Sequence, residues 1–137
     1  MTFEVFVPGI PKAQARAKAF VYKKGGAMRV GHYDPETSRD WKRTVLDRVA
    51  TEARSRDMAP TAGPIGLELV FTLTRPKSLP KRVIYHTRKP DVDNLAKAVK
   101  DAMKGVVYGD DSQVVSLSVA KGYGLKPGVY IYARSFE

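Results

Sequence analysis

The sequence predicts an α/β fold of the α+β type: one small domain over residues 1–137, with a mixed β-sheet and two main helices packed on it. Three observations predict it. Several short runs are rich in aromatic and β-branched residues and alternate inward and outward, as half-buried strands do. Two longer stretches repeat apolar residues at helical spacing. Glycine and proline clusters separate these segments in the order β, ββ, α, β, α, ββ, which suits helices laid on one sheet. A chain of 137 residues is long enough to bury a core without covalent staples.

Residues 2–7 read as the first strand, stopped by Pro8-Gly9. A loop follows that carries Lys12, Arg16 and Lys18 at near-even spacing, either a phosphate-contacting segment or a solvated connection. Residues 19–22 and 28–33 make two strand pieces around Gly25-Gly26, a pair that supplies the positive φ of a tight hairpin turn. Asp34-Pro35-Glu36 then starts a helix, with a capping side chain, a first-turn proline and an acid at the positive end. Trp41, Val45, Val49 and Ala53 set its apolar stripe over residues 35–56, and Trp41 is expected in the core.

Residues 58–66 are loop and residues 67–74 a strand, with Leu67, Leu69, Phe71 and Leu73 on one face. Glu68, on the other face, is either a fourth carboxylate of a metal site or an ordinary exposed residue. Residues 75–89 form a long basic loop, expected to be a mobile phosphate-binding arm. A second helix is expected from Asn94 to Lys104, burying Leu95, Ala98, Val99, Ala102 and Val106 and closed by Gly105. Residues 114–120 and 128–134 are the last strands, expected to pair as a hairpin through residues 121–127.

The net charge is +10, from 24 Lys+Arg against 14 Asp+Glu, and it is spread along the chain; this favours a polyanion such as nucleic acid on the folded surface. The absence of cysteine excludes disulfides, thiolate metal sites and cysteine nucleophiles. No apolar run reaches the roughly 18 residues of a membrane span, and the N-terminus lacks signal-peptide character, so a cytoplasmic setting is expected.

Against this basic background, five of the fourteen acids fall between Asp91 and Asp111, whereas residues 75–89 hold six bases and no acid. Hard divalent cations take carboxylate oxygens together with water and phosphate. Asp91 and Asp93, two apart in an extended segment, would share one face. The helix after Asn94 is about 16 Å long at about 1.5 Å per residue, and the six residues after it can run back roughly 20 Å at about 3.3 Å each. Asp110-Asp111 can therefore return to the first pair, with Lys97 one turn into the helix above it. Each feature also has a plainer reading. Asp93 is a good helix cap, residues 109–112 have turn composition, and Asp93 and Lys97 are an i,i+4 surface pair.

The run His86-x-x-Lys89-Pro90-Asp91-Val92-Asp93-Asn94-Leu95-x-Lys97, followed by Asp110-Asp111-x-Gln113-Val114-Val115, resembles the RusA family of Holliday junction resolvases. Pro8-Gly9-x-Pro11-Lys12, Tyr33-Asp34-Pro35 and Lys121 extend the resemblance weakly. It implies a homodimeric endonuclease of bacterial or prophage origin, dependent on Mg²⁺ with Mn²⁺ as a possible substitute, acting on branched DNA. It also implies that Asp91, Asp93, Lys97 and Asp111 are catalytic, with the three aspartates as metal ligands. Lys12, Arg16 and Lys18, with Arg75, Lys77, Lys81, Arg82, Arg88 and Lys89, are the expected DNA contacts. Two other readings stay open: a less selective flap or branched-DNA nuclease, and a basic DNA-binding protein whose aspartates only cap and turn.

Overall fold

The computed structural model describes residues 1–14, 18–33 and 35–136. The strands are β1 (Thr2–Pro8), β2 (Lys18–Lys24), β3 (Ala27–Tyr33), β4 (Ile65–Leu73), β5 (Val114–Tyr123) and β6 (Gly128–Ser135). The helices are α1 (Glu36–Ser55) and α2 (Val92–Met103), and Asp111–Gln113 form a single 3₁₀ turn. Four strands make one sheet in the order β1-β6-β4-β5, while β2 and β3 form a separate two-stranded ribbon. Because β6 is antiparallel to β1 and β4, and β5 is parallel to β4, the sheet is mixed, as the sequence predicts.

The two helices lie on one face of this sheet. Phe3, Val5 and Val7 of β1, Leu67, Leu69 and Phe71 of β4, and Val129, Ile131 and Ala133 of β6 are buried there. They join Trp41, Val45 and Val49 of α1 and Leu95, Ala98 and Val99 of α2 in one apolar cluster. Each fully buried Val, Leu or Ile contributes about 1.5–3 kcal/mol, so the inward period of these elements decides the fold. Lys42 and Asp101 link the helices at 3.7 Å. Gly25 and Gly26 have φ of +61° and +80°, the backbone of a two-residue turn matched to strand twist, and they close the β2–β3 ribbon in register.

The expected hairpin between the last two strands is not formed. β4 lies between β5 and β6, and residues 124–127 carry the chain across the end of β4. The Gly124 N–H donates to the Leu73 carbonyl at 3.1 Å, and the Gly9 N–H donates to the Pro127 carbonyl at 3.1 Å, fastening this crossing. The reason lies in the side chains. Val129, Ile131 and Ala133 can fill the sheet centre, while β5 exposes Val115, Ser116, Leu117 and Ser118 and suits an edge. Glu68 points to the face opposite the helices, in a shallow hollow of about 260 Å³ with Ser116, Ser118 and Tyr132. It is an exposed strand residue on the face away from α2.

Candidate active site

Helix α2 begins at Val92, two residues before the expected Asn94, and Asp91 is its N-cap residue. Asp93 therefore sits in the first helical turn rather than in an extended segment. Lys97, four residues on, follows Asp93 along the same ridge. Asp91, Asp93 and Lys97 are all exposed. The Asp91 carboxylate makes no capping bond; its carbonyl accepts from the Leu95 N–H at 3.0 Å, and its side chain faces Lys89 Nζ at 3.7 Å. The positive end of α2 favours both carboxylates by roughly 0.3–1 kcal/mol.

The backbone entering this helix is held from the sheet. Lys121, at the end of β5, donates from Nζ to the carbonyls of Arg88 and Pro90, each at 2.7 Å. Between those carbonyls the Lys89–Pro90 peptide is cis. The other wall comes from the N-terminal loop, where the Gln14 N–H donates to the Asn94 carbonyl at 2.9 Å. A cleft of about 500 Å³ opens between the two, lined by Ile10, Lys12, His86, Lys89, Asp91 and Asn94 among others. His86 packs its ring 4.9 Å from that of Tyr123. Burial first, and the Lys121 charge second, push the His86 imidazole below its usual titration range, so it is neutral at pH 7.

Asp110 and Asp111 return alongside the later turns of α2. Tyr108 is fully buried, and its hydroxyl lies 2.9 Å from the Lys100 carbonyl and 3.2 Å from Asp111 Oδ1. Burial, reinforced by the Asp111 charge, raises the Tyr108 hydroxyl far above its usual pKa, so it stays a donor. Asp110 pairs with Lys104 at 3.3 Å and accepts from the Ser112 N–H at 3.0 Å. These contacts, Ser112 foremost, hold its carboxyl down at about 2. Gln113 secures the turn: its Oε1 accepts from the N–H groups of Gly109 and Asp110 at 2.8 and 2.9 Å. Its Nε2 donates to the carbonyls of Thr61 and Gly63 at 2.8 and 2.9 Å.

Asp111 thus comes back beside Lys100, which lies about 10 Å past Asp93 at about 1.5 Å per residue. The expected return to the very start of the helix stops short, because Tyr108 is anchored in the core and Gln113 on the 61–63 loop. Among the described residues, no three His, Cys, Asp or Glu side chains are close enough together to hold a metal. The chemistry of the donor set nevertheless fits a hard divalent cation. It is all carboxylate oxygen; Asp91 is not spent on a helix cap, and both Asp91 and Asp93 are open to solvent.

Of the expected DNA contacts, Lys12 and Lys89 line the cleft, and Lys77, Lys81, Arg82 and Arg88 are exposed on the 75–89 segment. Arg75 is turned inward, with Nη1 donating to the Pro80 carbonyl at 2.7 Å and its guanidinium 5.3 Å from the Tyr123 ring centre. Two turns form within the segment, and a bridge from Tyr85 to Gly122 joins it to β5. Lys18 opens β2, and Arg16 lies outside the described residues, as does the expected cap Asp34. Sequence reasoning missed what Tyr108, Gln113 and Lys121 do; two of them stand within quoted motifs, but their partners are 31–52 residues away.

Comparison with known proteins bears on this arrangement directly. Residues 8–134 match the family described as Endodeoxyribonuclease RusA, a span that takes in the cleft, both aspartate blocks and every strand of the sheet in whole or part. The chain is also 35% identical over 138 residues to a Bacillus subtilis (strain 168) protein named Uncharacterized protein YqaN, covering 93% of this chain and 92% of that one. No helix among the described residues is long and apolar enough to cross a membrane. With the family match running through nearly the whole fold, the chain belongs to the RusA family of endodeoxyribonucleases.

Proposed function

We propose that this endodeoxyribonuclease resolves four-way DNA junctions by Mg²⁺-dependent phosphodiester hydrolysis at the N-terminal end of α2. The observation that carries this reading is Asp91 on a cleft it shares with Lys12 and Lys89, with exposed Asp93 in the first turn of α2 and Lys97 one turn further along. Asp91 and Asp93 would hold Mg²⁺, or Mn²⁺ in its place, and Asp111 would join them only by moving from its place beside Lys100 toward the start of α2; the ion would supply an activated water and neutralise charge on the scissile phosphate. Lys97 has no ion pair among the described residues, and its ammonium stabilises charge developing on the phosphate oxygens. Lys12 and Lys89, from separate segments, bind flanking phosphates and orient the strand in the cleft. Lys121 keeps the Asp91 backbone in place while that strand is bound.

Two copies related by a two-fold axis would cut opposed strands of a junction with matching symmetry. The exposed Val115 and Leu117 on edge strand β5 suit such self-association. The enzyme would act on DNA in the cytoplasm of a bacterium, whether encoded by the host or by a prophage. The test is cleavage of a synthetic four-way junction, a flap and a linear duplex with Mg²⁺, by the wild type and by Asp93→Asn. The expected result is paired nicks in the junction alone, lost in the variant. Equal cutting by both proteins, or equal cutting of all three substrates, overturns the reading.

A further inference from the structure

The β2–β3 ribbon stands outside the catalytic machinery, yet its composition is specialised. Its sequence from Lys18 to Tyr33 holds four Lys/Arg and no acid. The register places Phe20 opposite Gly31, Tyr22 opposite Arg29 and Lys24 opposite Ala27, so these residues share one face. That face combines two aromatic rings with two cations and is solvent-exposed: Phe20 is 44% and Tyr22 40% accessible. The rings lie 5.7 Å apart, inclined at 35°. Phe20 lies so closely across Gly31 that a Cβ there would collide with it, which seats the ring instead of leaving it to swing. A buried role does not explain these rings, since no residue of the ribbon belongs to the core cluster.

The ribbon is also rooted at the cleft. The loop leading into it is tied to α2 by the Gln14 N–H to Asn94 carbonyl bond, four residues before β2 begins. We propose that the β2–β3 ribbon is a strand-separating contact for DNA: Phe20 and Tyr22 stack on unpaired bases at the branch point, and Arg29 and Lys24 hold the neighbouring phosphates. Charge complementarity selects this occupant over a second copy of the chain, because a +10 protein gains nothing electrostatically by facing its own all-cationic ribbon. Aromatic side chains stack on any base, so the contact reads an opened strand rather than a sequence. The proposal rests on the reading that the substrate is branched DNA, and it assigns recognition of the branch to a part of the chain that does no chemistry.

The experiment uses full-length protein in EDTA with a four-way junction carrying 2-aminopurine at the branch point, beside a linear duplex of equal length. Wild type is expected to raise the 2-aminopurine signal on binding. Phe20→Ala/Tyr22→Ala is expected to abolish that rise and to weaken junction binding about fivefold or more, with duplex binding changed less than twofold. Phe20→Trp/Tyr22→Trp, which keeps the stacking surface, is expected to retain the rise, and this separates lost stacking from lost folding. A wild-type rise preserved in the Ala variant overturns the proposal, as does the absence of any rise with wild type bound. A drop from dimer to monomer in the Ala variant also overturns it, by assigning the face to a second copy. Failure of the underlying reading is distinct: wild type would then leave the junction uncut when Mg²⁺ is added.

Discussion

Replacing Gln113 by Ala should loosen the turn that carries Asp111, and the size of the effect follows from its four hydrogen bonds. The N–H groups of Gly109 and Asp110 are exposed and would recover bonds to water. The carbonyls of Thr61 and Gly63 meet Nε2 in part-buried bonds of 2.8 and 2.9 Å, and these are the costly losses. At about 0.5–1.5 kcal/mol per bond, with the part-buried pair weighted most, the change destabilises the fold by about 2–3 kcal/mol. Urea unfolding followed by the fluorescence of the buried Trp41, the chain's one tryptophan, measures it. Gln113→Glu sharpens the test. It keeps an acceptor for Gly109 and Asp110 but aims a second oxygen at two carbonyls, which raises the pKa of the new carboxyl in the folded state. Its cost is then absent below the unfolded carboxyl pKa and grows as pH rises through the folded one, so the variant loses more stability at pH 8 than at pH 4.5. If Gln113→Ala unfolds within about 0.5 kcal/mol of wild type, the size of a surface substitution, the turn is held by something else.

Lys121→Met removes both bonds to the Arg88 and Pro90 carbonyls; junction cleavage should fall tenfold or more with stability lowered by about 2 kcal/mol, and Lys121→Arg should restore part of the rate in a gel cleavage assay. Tyr108→Phe deletes the hydroxyl between Lys100 and Asp111, so denaturant unfolding should show a loss of about 1–1.5 kcal/mol; ultraviolet titration of wild type should find one tyrosine still protonated after the others ionise. The Asp110 carboxyl, depressed to about 2 chiefly by Ser112, stabilises the fold above the ordinary carboxyl pKa of 3.8 and ceases to do so as pH falls through about 2; an NMR midpoint near 4 would refute the Ser112 contact. His86 should titrate below 6.5, so its contribution runs the same way, with stability lost as pH falls below that value; a midpoint above 6.5 by NMR would contradict its burial.

The elements were legible because each has a local signature. Alternation marked β1 and β4, the Trp41-Val45-Val49-Ala53 stripe marked α1, and Gly25-Gly26 marked the ribbon turn. Strand order was not legible, because alternation is the same whether a strand pairs with the next one or with another. Seven residues between two strand runs look like a hairpin loop; here part of that stretch extends β5 and the rest passes over β4. Asp91, Asp93 and Lys97 were readable from their spacing at the start of one helix. The placement of Asp111 was not, since it depends on how deeply Tyr108 is buried and where Gln113 finds carbonyls 50 and 52 residues back.

The position of β6 between β1 and β4 has a consequence for how the molecule comes into being. Its register joins Thr2 to Arg134 and Ile65 to Ser135, so the sheet's interior seam depends on pairings between distant parts of the chain. Until residues 128–135 have been synthesised, β1 and β4 have no inner partner, and the apolar faces of both remain open to other chains. Helices α1 and α2 can form early from local contacts, but the platform beneath them closes last. Such non-local pairing slows folding and prolongs exposure of unpaired edges. For this chain, refolding yield should therefore depend on protein concentration more steeply than refolding rate does.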